Sequence, residues 1–256
     1  MKIVSLLENT TARNELKTEH GLSLYIEACG KKILFDFGET DLFYQNAKKL
    51  GVDLTEVDLA VLSHGHSDHG GGLSTFLNIN SHAPVYISPT AFLPHYNGQG
   101  KFIGLDPVLM ENERLVYVKN EQIIDTGLKI FNCNGEKLHY PIAHQGLTEG
   151  EEKSPDFFDH EQYLQVEENG KRVLLSGCSH KGILNIMEWV RPHILVGGFH
   201  ISKISDPQAL SSLAHALSSY GAEYHTCHCT GIEQYSTLCQ LCPRIHYLST
   251  GNEIII

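Results

Sequence analysis

The chain has 256 residues, of which 41% are hydrophobic and 19% are charged, and this composition excludes a disordered or coiled-coil protein. It carries 19 basic and 30 acidic residues, a formal net charge of −11. Nucleic acids and anionic membranes bind clustered Lys and Arg, so neither is expected as a partner. No apolar run is long enough for a signal peptide or a membrane-spanning helix, which predicts a soluble, cytoplasmic protein.

In the first part of the chain the pattern predicts paired strands. "KIVSLLENT" and "LSLYIEACGKKILFDFGET" alternate or run apolar, and Gly30 with Lys31 is a two-residue turn signal. "DLFYQNAKKLG" has helical spacing and ends at Gly51. "VDLAVLSH" then has the length of a buried strand and stops at a polar, glycine-rich segment.

In the middle of the chain the periodicity weakens. Short apolar pieces such as "RLVYV" and "LKIFN" predict further strands of the same domain. Between them the sequence predicts a loop-rich, lid-like excursion at about residues 90–155. Loops of that length are usually functional lids or poorly ordered segments, and the sequence leaves both readings open.

Regular patterns return in the last part of the chain. A hairpin is predicted to turn at Asn169–Gly170, and "GILNIMEWV" and "HILVGG" predict a short helix and a buried strand. "SDPQALSSLAHALSSYG" predicts a helix that Asp206 caps. Strands alternate with helices in both halves, so we expect an α/β sandwich that forms one domain over residues 1–256.

The segment "SHGHSDHGGG" is the strongest chemical signal. It places His64, His66, Asp68 and His69 within six residues, directly after a predicted strand. Side chains at i and i+2 of an extended segment point the same way, so His64 and His66 can share one ion. Asp68 and His69, on the turn into a helix, can then reach a second ion. Imidazole and carboxylate suit Zn²⁺, Mn²⁺ or Fe²⁺.

The H-x-H-x-D-H pattern and the preceding "ILFDFG" resemble the metallo-β-lactamase superfamily. This resemblance implies a four-layer αβ/βα sandwich with a one- or two-metal site at its edge. It also implies further ligands at later strand ends, and the matching positions are Cys178 in "GCSH" and His228 in "HCTG". Either His180 or His160 completes the first ion, and the sequence does not decide between them. His200 in "GGFH" is expected near the site, in substrate binding or proton transfer.

The combination of "GCSH", "GGFH" and "HCTG" resembles a narrower branch, the dihydropterin-methyl-ribofuranosyl-aminobenzene-phosphate synthases, which are dihydropteroate-synthase-like. The resemblance implies a dinuclear hydrolase or transferase that acts on a small phosphate- or diphosphate-bearing, pterin-related molecule through a metal-bound hydroxide. Two divalent ions are expected, Zn²⁺ first and Mn²⁺ or Fe²⁺ as alternatives. Asp68 and His200 are the predicted catalytic residues, with His180 a second candidate for protonating the leaving group.

The cysteines leave a second hypothesis open. Of seven cysteines, four fall near the end of the chain, at Cys227, Cys229, Cys239 and Cys242. In a reducing compartment such thiols favour metal ligation over disulfides. Cys229 belongs to "HCTG" and is expected to pack beneath His228, whereas the other three fit an iron-binding redox or ferredoxin-like protein. A metal-bound binding module without catalysis is the third reading.

Overall fold

The computed structural model describes residues 1–256. The strands, in chain order, are β1 Lys2–Leu7, β2 Ser23–Ala28, β3 Lys31–Phe35, β4 Leu59–Val61, β5 Val85–Ile87, β6 His95–Tyr96, β7 Leu115–Tyr117, β8 Glu121–Asp125, β9 Leu128–Phe131, β10 Thr148–Glu149, β11 Ser154–Pro155, β12 Tyr163–Glu168, β13 Lys171–Leu175, β14 Ile194–Val196, β15 Glu223–Thr226, β16 Ile245–Tyr247 and β17 Glu253–Ile255. The α-helices are α1 Leu42–Leu50, α2 Ser67–Gly70, α3 Leu73–Ile79, α4 Ile183–Val190, α5 Pro207–Ser219 and α6 Ile232–Leu241. None of these helices is long and apolar enough to cross a membrane.

Two seven-stranded sheets form the centre of the fold. The first has the order β17-β1-β2-β3-β4-β5-β7, and the second has the order β16-β15-β14-β13-β12-β9-β8. Each sheet combines antiparallel hairpins with parallel strands; β3 pairs parallel to β4, and β13, β14 and β15 pair parallel to one another. A small third sheet, β11-β10-β6, lies outside both.

The alternation of side chains along the strands creates four layers. In β3, Ile33 and Phe35 join a core cluster that also contains Val173 and Leu175 of the second sheet, so this cluster lies between the sheets. Leu34 faces the other way and packs with residues of α1 and α3. A third cluster joins the outer face of the second sheet to α4, α5 and α6. The predicted four-layer αβ/βα sandwich is therefore confirmed.

The predicted helices are present with their predicted ends. Gly51 follows α1 in the left-handed region at φ 72°, and the Asp206 side chain accepts a hydrogen bond from the Gln208 amide at the start of α5. The turn prediction at Gly30–Lys31 is wrong by one residue. Ala28 pairs with Lys31, and the turn is Cys29–Gly30, because a tight hairpin of this hand needs positive φ at both central residues, here 51° and 70°.

The predicted excursion contributes more regular structure than its sequence indicates. β7 extends the edge of the first sheet, and β8 and β9 extend the edge of the second. β6, β10 and β11 make the small third sheet. The part of residues 90–155 without regular secondary structure is therefore limited to the stretches between these strands.

The topology brings chemically important segments together. The carboxyl ends of the parallel strands β13, β14 and β15 lie at one edge of the second sheet, and β4 ends opposite them in the first sheet. The segments that follow these four strands carry the predicted site residues.

Candidate metal centre

The predicted ligands lie together at these strand ends. All are buried, apart from a side chain of Asp68 that is 18% exposed. After β4 come His64, His66, Asp68 and His69; after β13 come Cys178 and His180; and after β15 comes His228.

Four of them form one group of donor atoms, which we call the second metal group. His69 Nε2 lies 3.1 Å from Cys178 Sγ and 3.2 Å from His228 Nε2. His228 Nε2 lies 3.2 Å from Asp68 Oδ2. Tetrahedral ligands on bonds of about 2 Å are spaced by roughly 3.3 Å, so this donor set fits one divalent ion.

His64 and His180 form the first metal group together with Cys178, and the His66 ring lies next to it. His64 Nε2 lies 3.3 Å from His180 Nε2, and Cys178 Sγ is close enough to share an ion with both. The His66 ring lies 4.7 Å from the His64 ring and 4.9 Å from the His180 ring, in planes nearly perpendicular to each. The thiol of Cys178 therefore approaches both groups.

His160 has a different environment, which bears on the choice that the sequence left open. Its Nδ1 accepts a hydrogen bond of 2.8 Å from the Gly65 amide. Because an amide nitrogen only donates, the proton of a neutral His160 sits on Nε2, which lies 3.2 Å from Asp156 Oδ2. Neither ring nitrogen then has a free lone pair, and this favours His180 over His160 in the first metal group.

Contacts behind three of the histidines orient their rings. Asp36 Oδ2 lies 2.6 Å from His69 Nδ1, Ser63 Oγ lies 2.8 Å from His64 Nδ1, and Asn9 Oδ1 lies 2.8 Å from His228 Nδ1. In each contact the oxygen can accept a hydrogen bond from the Nδ1–H group, which leaves the lone pair on Nε2, facing the neighbouring donors. This arrangement is usual around metal-binding histidines.

The charges at the second metal group favour a cation. Burial opposes the charging of His69, but the carboxylates of Asp36 and Asp68 outweigh it and raise its pKa to about 9. Burial also opposes the charging of Asp68, which by itself would raise its pKa. His69, His20 and His228 nevertheless hold the pKa of Asp68 well below its usual value. Burial and the neighbouring Cys229 raise the pKa of the Cys178 thiol, a preference that a coordinated cation reverses.

Two further histidines lie beside the metal groups: His200 joins no set of donor atoms, whereas His20 lies close enough to Asp68 and His228 for the three to share an ion. The His200 ring lies 4.2 Å from the His180 ring, and burial lowers the pKa of His200 to about 4. His20 Nε2 lies 3.3 Å from Asp68 Oδ2, with its side chain 65% exposed. Sequence reasoning missed His20, which stands alone before a glycine without any ligand spacing.

A cavity of about 330 Å³ opens over both groups, and we call it the metal cavity. Asp68, Cys178 and His228 line it, together with the basic residues Lys101 and Lys203 and the acidic residue Glu39. The cavity therefore combines convergent metal donors with two ammonium groups that can pair with an anion.

Comparison with known proteins identifies the fold family. The family model for the metallo-beta-lactamase superfamily matches residues 17–200. The chain belongs to the metallo-β-lactamase superfamily. Its H-x-H-x-D-H residues, His64 to His69, lie within the matched range.

Within the superfamily, three similar proteins cover nearly the whole chain. An uncharacterised protein of Methanocaldococcus jannaschii is 27% identical, over 93% of this chain and 94% of its own length. The 7,8-dihydropterin-6-methyl-4-(β-D-ribofuranosyl)-aminobenzene-5'-phosphate synthase of the same organism is 29% identical, over 91% of this chain and 88% of its own. A solved metal-dependent hydrolase of the β-lactamase superfamily is 28% identical, with a TM-score of 0.86 and coverage of 100% and 99%. The predicted resemblance to the superfamily and to the synthase is confirmed.

The remaining cysteines of this superfamily member do not come together. Cys227 lies in the core between the sheets, Cys242 packs in the core beneath α5 and α6, and Cys239 Sγ lies near the Ser236 carbonyl. Cys229 Sγ donates to the Cys178 carbonyl and accepts from the His200 amide, so its contacts are with these two segments of the site. This separation does not favour the ferredoxin-like alternative.

Proposed function

We propose that this protein is a dinuclear metal-dependent hydrolase or transferase that acts on a small phosphate- or diphosphate-bearing, pterin-related substrate. The observation that carries the proposal is the approach of Cys178 to both metal groups. Its Sγ lies 3.1 Å from His69 Nε2 on one side and within ligand-sharing distance of His64 and His180 on the other. Zn²⁺ suits this mixture of imidazole, thiolate and carboxylate best.

The phosphate class is supported by charge and by a relative. Lys101 and Lys203 line the metal cavity, so an anion entering it meets two ammonium groups in addition to the ions. A relative 29% identical over most of both chains is named as the synthase of a dihydropterin-linked phosphate. The lysines support the phosphate of the proposed substrate, and the relative supports its pterin-related group.

Two divalent ions held by these residues would lower the pKa of a coordinated water towards 7 and polarise a phosphoryl oxygen. Asp68 is the only carboxylate among the predicted ligands and lines the metal cavity, so we assign it to accepting a hydrogen bond from the attacking water and so orienting it. His200 lines the same cavity, and with its pKa lowered to about 4 by burial it enters the reaction neutral. We assign it to donating a hydrogen bond to the leaving-group oxygen.

Hydrolysis of bis(4-nitrophenyl) phosphate by zinc-reconstituted protein tests the proposal. Chelation and the variants His228→Ala and Asp68→Asn should each lower the rate at least about a hundredfold, because each removes a ligand or the water-orienting carboxylate. His246→Ala is the matched control, since that histidine is exposed on β16. Hydrolysis that survives chelation and both site variants would contradict the proposal.

A further inference from the structure

A second, larger cavity lies beside the metal cavity. It has a volume of about 560 Å³, and we call it the apolar cavity. Ile183 and Leu184 of α4, Leu213 of α5, and Phe199 and Ile201 after β14 form much of its wall. Volumes of this size are typical of small-molecule sites.

The two cavities are contiguous, because they share part of their lining. The shared residues are Gln145, His180, His200 and Lys203. The apolar cavity is lined by no acidic residue, and Lys203 is its one lysine or arginine. A ligand that spans the shared wall therefore meets metal donors and cations at one end and hydrocarbon at the other.

We propose that the apolar cavity binds the aromatic, uncharged part of an organophosphate whose phosphoryl group lies in the metal cavity. This inference rests on the proposed function and adds the chemistry of the substrate's non-reacting end. Lys203, at the boundary, is placed to pair with a phosphate oxygen, while Phe199 and the aliphatic side chains contact the ring system. Binding of the remote ring then orients the phosphate over the metal groups.

Calorimetric titration of the zinc-loaded protein with two phosphonates tests this. Methylphosphonate carries only the anionic group, whereas (naphthalen-1-yl)methylphosphonate adds an aromatic ring system of about the size of a pterin. The naphthyl compound should bind at least about tenfold more tightly, since burying roughly 100 Å² of apolar surface is worth more than a factor of ten.

Matched variants locate the effect. Ala209→Trp fills the apolar cavity from an exposed position of α5 and should abolish the naphthyl advantage while leaving methylphosphonate binding unchanged. Ser212→Trp, exposed on the same helix and outside the cavity lining, should leave both affinities unchanged. Equal affinities for the two phosphonates in the parent protein, or a naphthyl advantage that survives Ala209→Trp, would overturn this inference and leave the proposed function standing. Failure of both phosphonates to bind would overturn the proposed function, and the inference with it.

A separate observation concerns Asp156, a fully buried carboxylate between β11 and β12. Its Oδ2 lies 3.2 Å from His95 Nδ1, 3.2 Å from His160 Nε2 and 3.8 Å from His66 Nε2. Its Oδ1 accepts a hydrogen bond of 2.7 Å from the Phe158 amide.

These four side chains are close enough to hold an ion of their own, but the hydrogen bonds speak against it. The Gly65 amide fixes the proton of His160 on Nε2, so this nitrogen donates to Asp156 and cannot also bind a metal. His66 Nε2 is buried and has no hydrogen-bond partner, and Asp156 Oδ2 lies 3.8 Å from it.

We infer that Asp156 is a positioning residue that acts through His66. Its Oδ2, 3.8 Å from His66 Nε2, attracts a proton on that nitrogen, and a proton held there leaves Nδ1 as the ring nitrogen that is free to bind an ion. Asp36 has the corresponding role at His69 through a direct contact of 2.6 Å, with the two ring nitrogens exchanged. His95 and His160 hold the Asp156 carboxylate in place from its other sides.

Chelator competition on the zinc-loaded Asp156→Asn variant tests this inference. One of the two zinc ions should bind about 10–100-fold more weakly, the usual effect of losing a hydrogen-bond partner of a ligand. In the metal-free variant the ¹⁵N chemical shifts of His66 should report a change of the ring's tautomer. A general loss of stability would not produce this change. Asp159→Asn, a change of an exposed neighbour, is the control and should alter neither. Equal weakening of both ions, or an unchanged His66 tautomer, would overturn the inference.

Discussion

Asp36 Oδ2 lies 2.6 Å from His69 Nδ1, and both side chains are completely buried. The carboxylate also accepts hydrogen bonds from the Ser63 amide and hydroxyl, each of 2.7 Å, so it cannot turn away from the ring. Asp36 itself sits at a positive φ of 61°, a conformation that a non-glycine residue adopts only when its surroundings hold it there. These contacts hold the His69 ring so that its Nε2 faces the second metal group.

Asp36→Asn should weaken the binding of one zinc ion by about 10–100-fold, because the amide no longer fixes the protonated Nδ1 of His69 as strongly. Competition with a zinc-binding fluorophore measures this. Asp41→Asn, at an exposed position shortly after, is the control. Unchanged zinc affinity in Asp36→Asn would show that His69 is oriented without its carboxylate.

Zinc affinity should rise steeply with pH between about 7 and 9. In the metal-free protein burial opposes the protonation of His69, but two carboxylates raise its pKa to about 9, while burial keeps the Cys178 thiol protonated. Both groups must lose a proton before they bind an ion, so protons compete with zinc below their pKa values. Titrations in buffers of different ionisation enthalpy should count the protons released. A pH-independent affinity with no proton release would contradict the assignment of these two ligands.

Gly65→Ala should destabilise the protein by about 1–3 kcal/mol or more, because the added methyl group would overlap the carbonyl of Ala91 and approach His95 Nε2 to 2.9 Å. Gly135→Ala is a matched control, because its methyl group would meet nothing within 4 Å. Urea unfolding of the two variants gives the comparison. Equal midpoints would mean that the loop between His64 and His66 can move to admit a side chain.

Cys178→Ser should lower the zinc content and Cys239→Ser should not. Only the first thiol lies among the metal donors, whereas Cys239 is on α6 with its sulfur near the Ser236 carbonyl. Elemental analysis after dialysis against zinc measures both. Protein purified without oxygen could instead contain iron and acid-labile sulfide. If both were lost in Cys239→Ser, the result would support the ferredoxin-like alternative.

The sequence predicts those parts of the site that are local in the chain. The spacing from His64 to His69 follows from one strand end and one turn, and resemblance adds Cys178 and His228. The residues that orient the ligands could not be predicted in this way, because their contacts join distant segments. Asn9 and His228 are 219 residues apart, and the pairing of His160 with Gly65 spans 95. The argument for His180 over His160 rests on one backbone amide, that of Gly65, which only the folded chain brings into place.

Zinc X-ray absorption fine structure of the fully loaded protein tests the central claim most directly, because it reports ligands and metal–metal separation together. We expect two zinc ions about 3.5–4 Å apart, with mainly nitrogen and oxygen ligands. One further ligand, the Cys178 sulfur, should lie at about 2.3 Å from zinc. A single zinc environment with neither a metal–metal vector nor a sulfur ligand would contradict a dinuclear centre shared through Cys178.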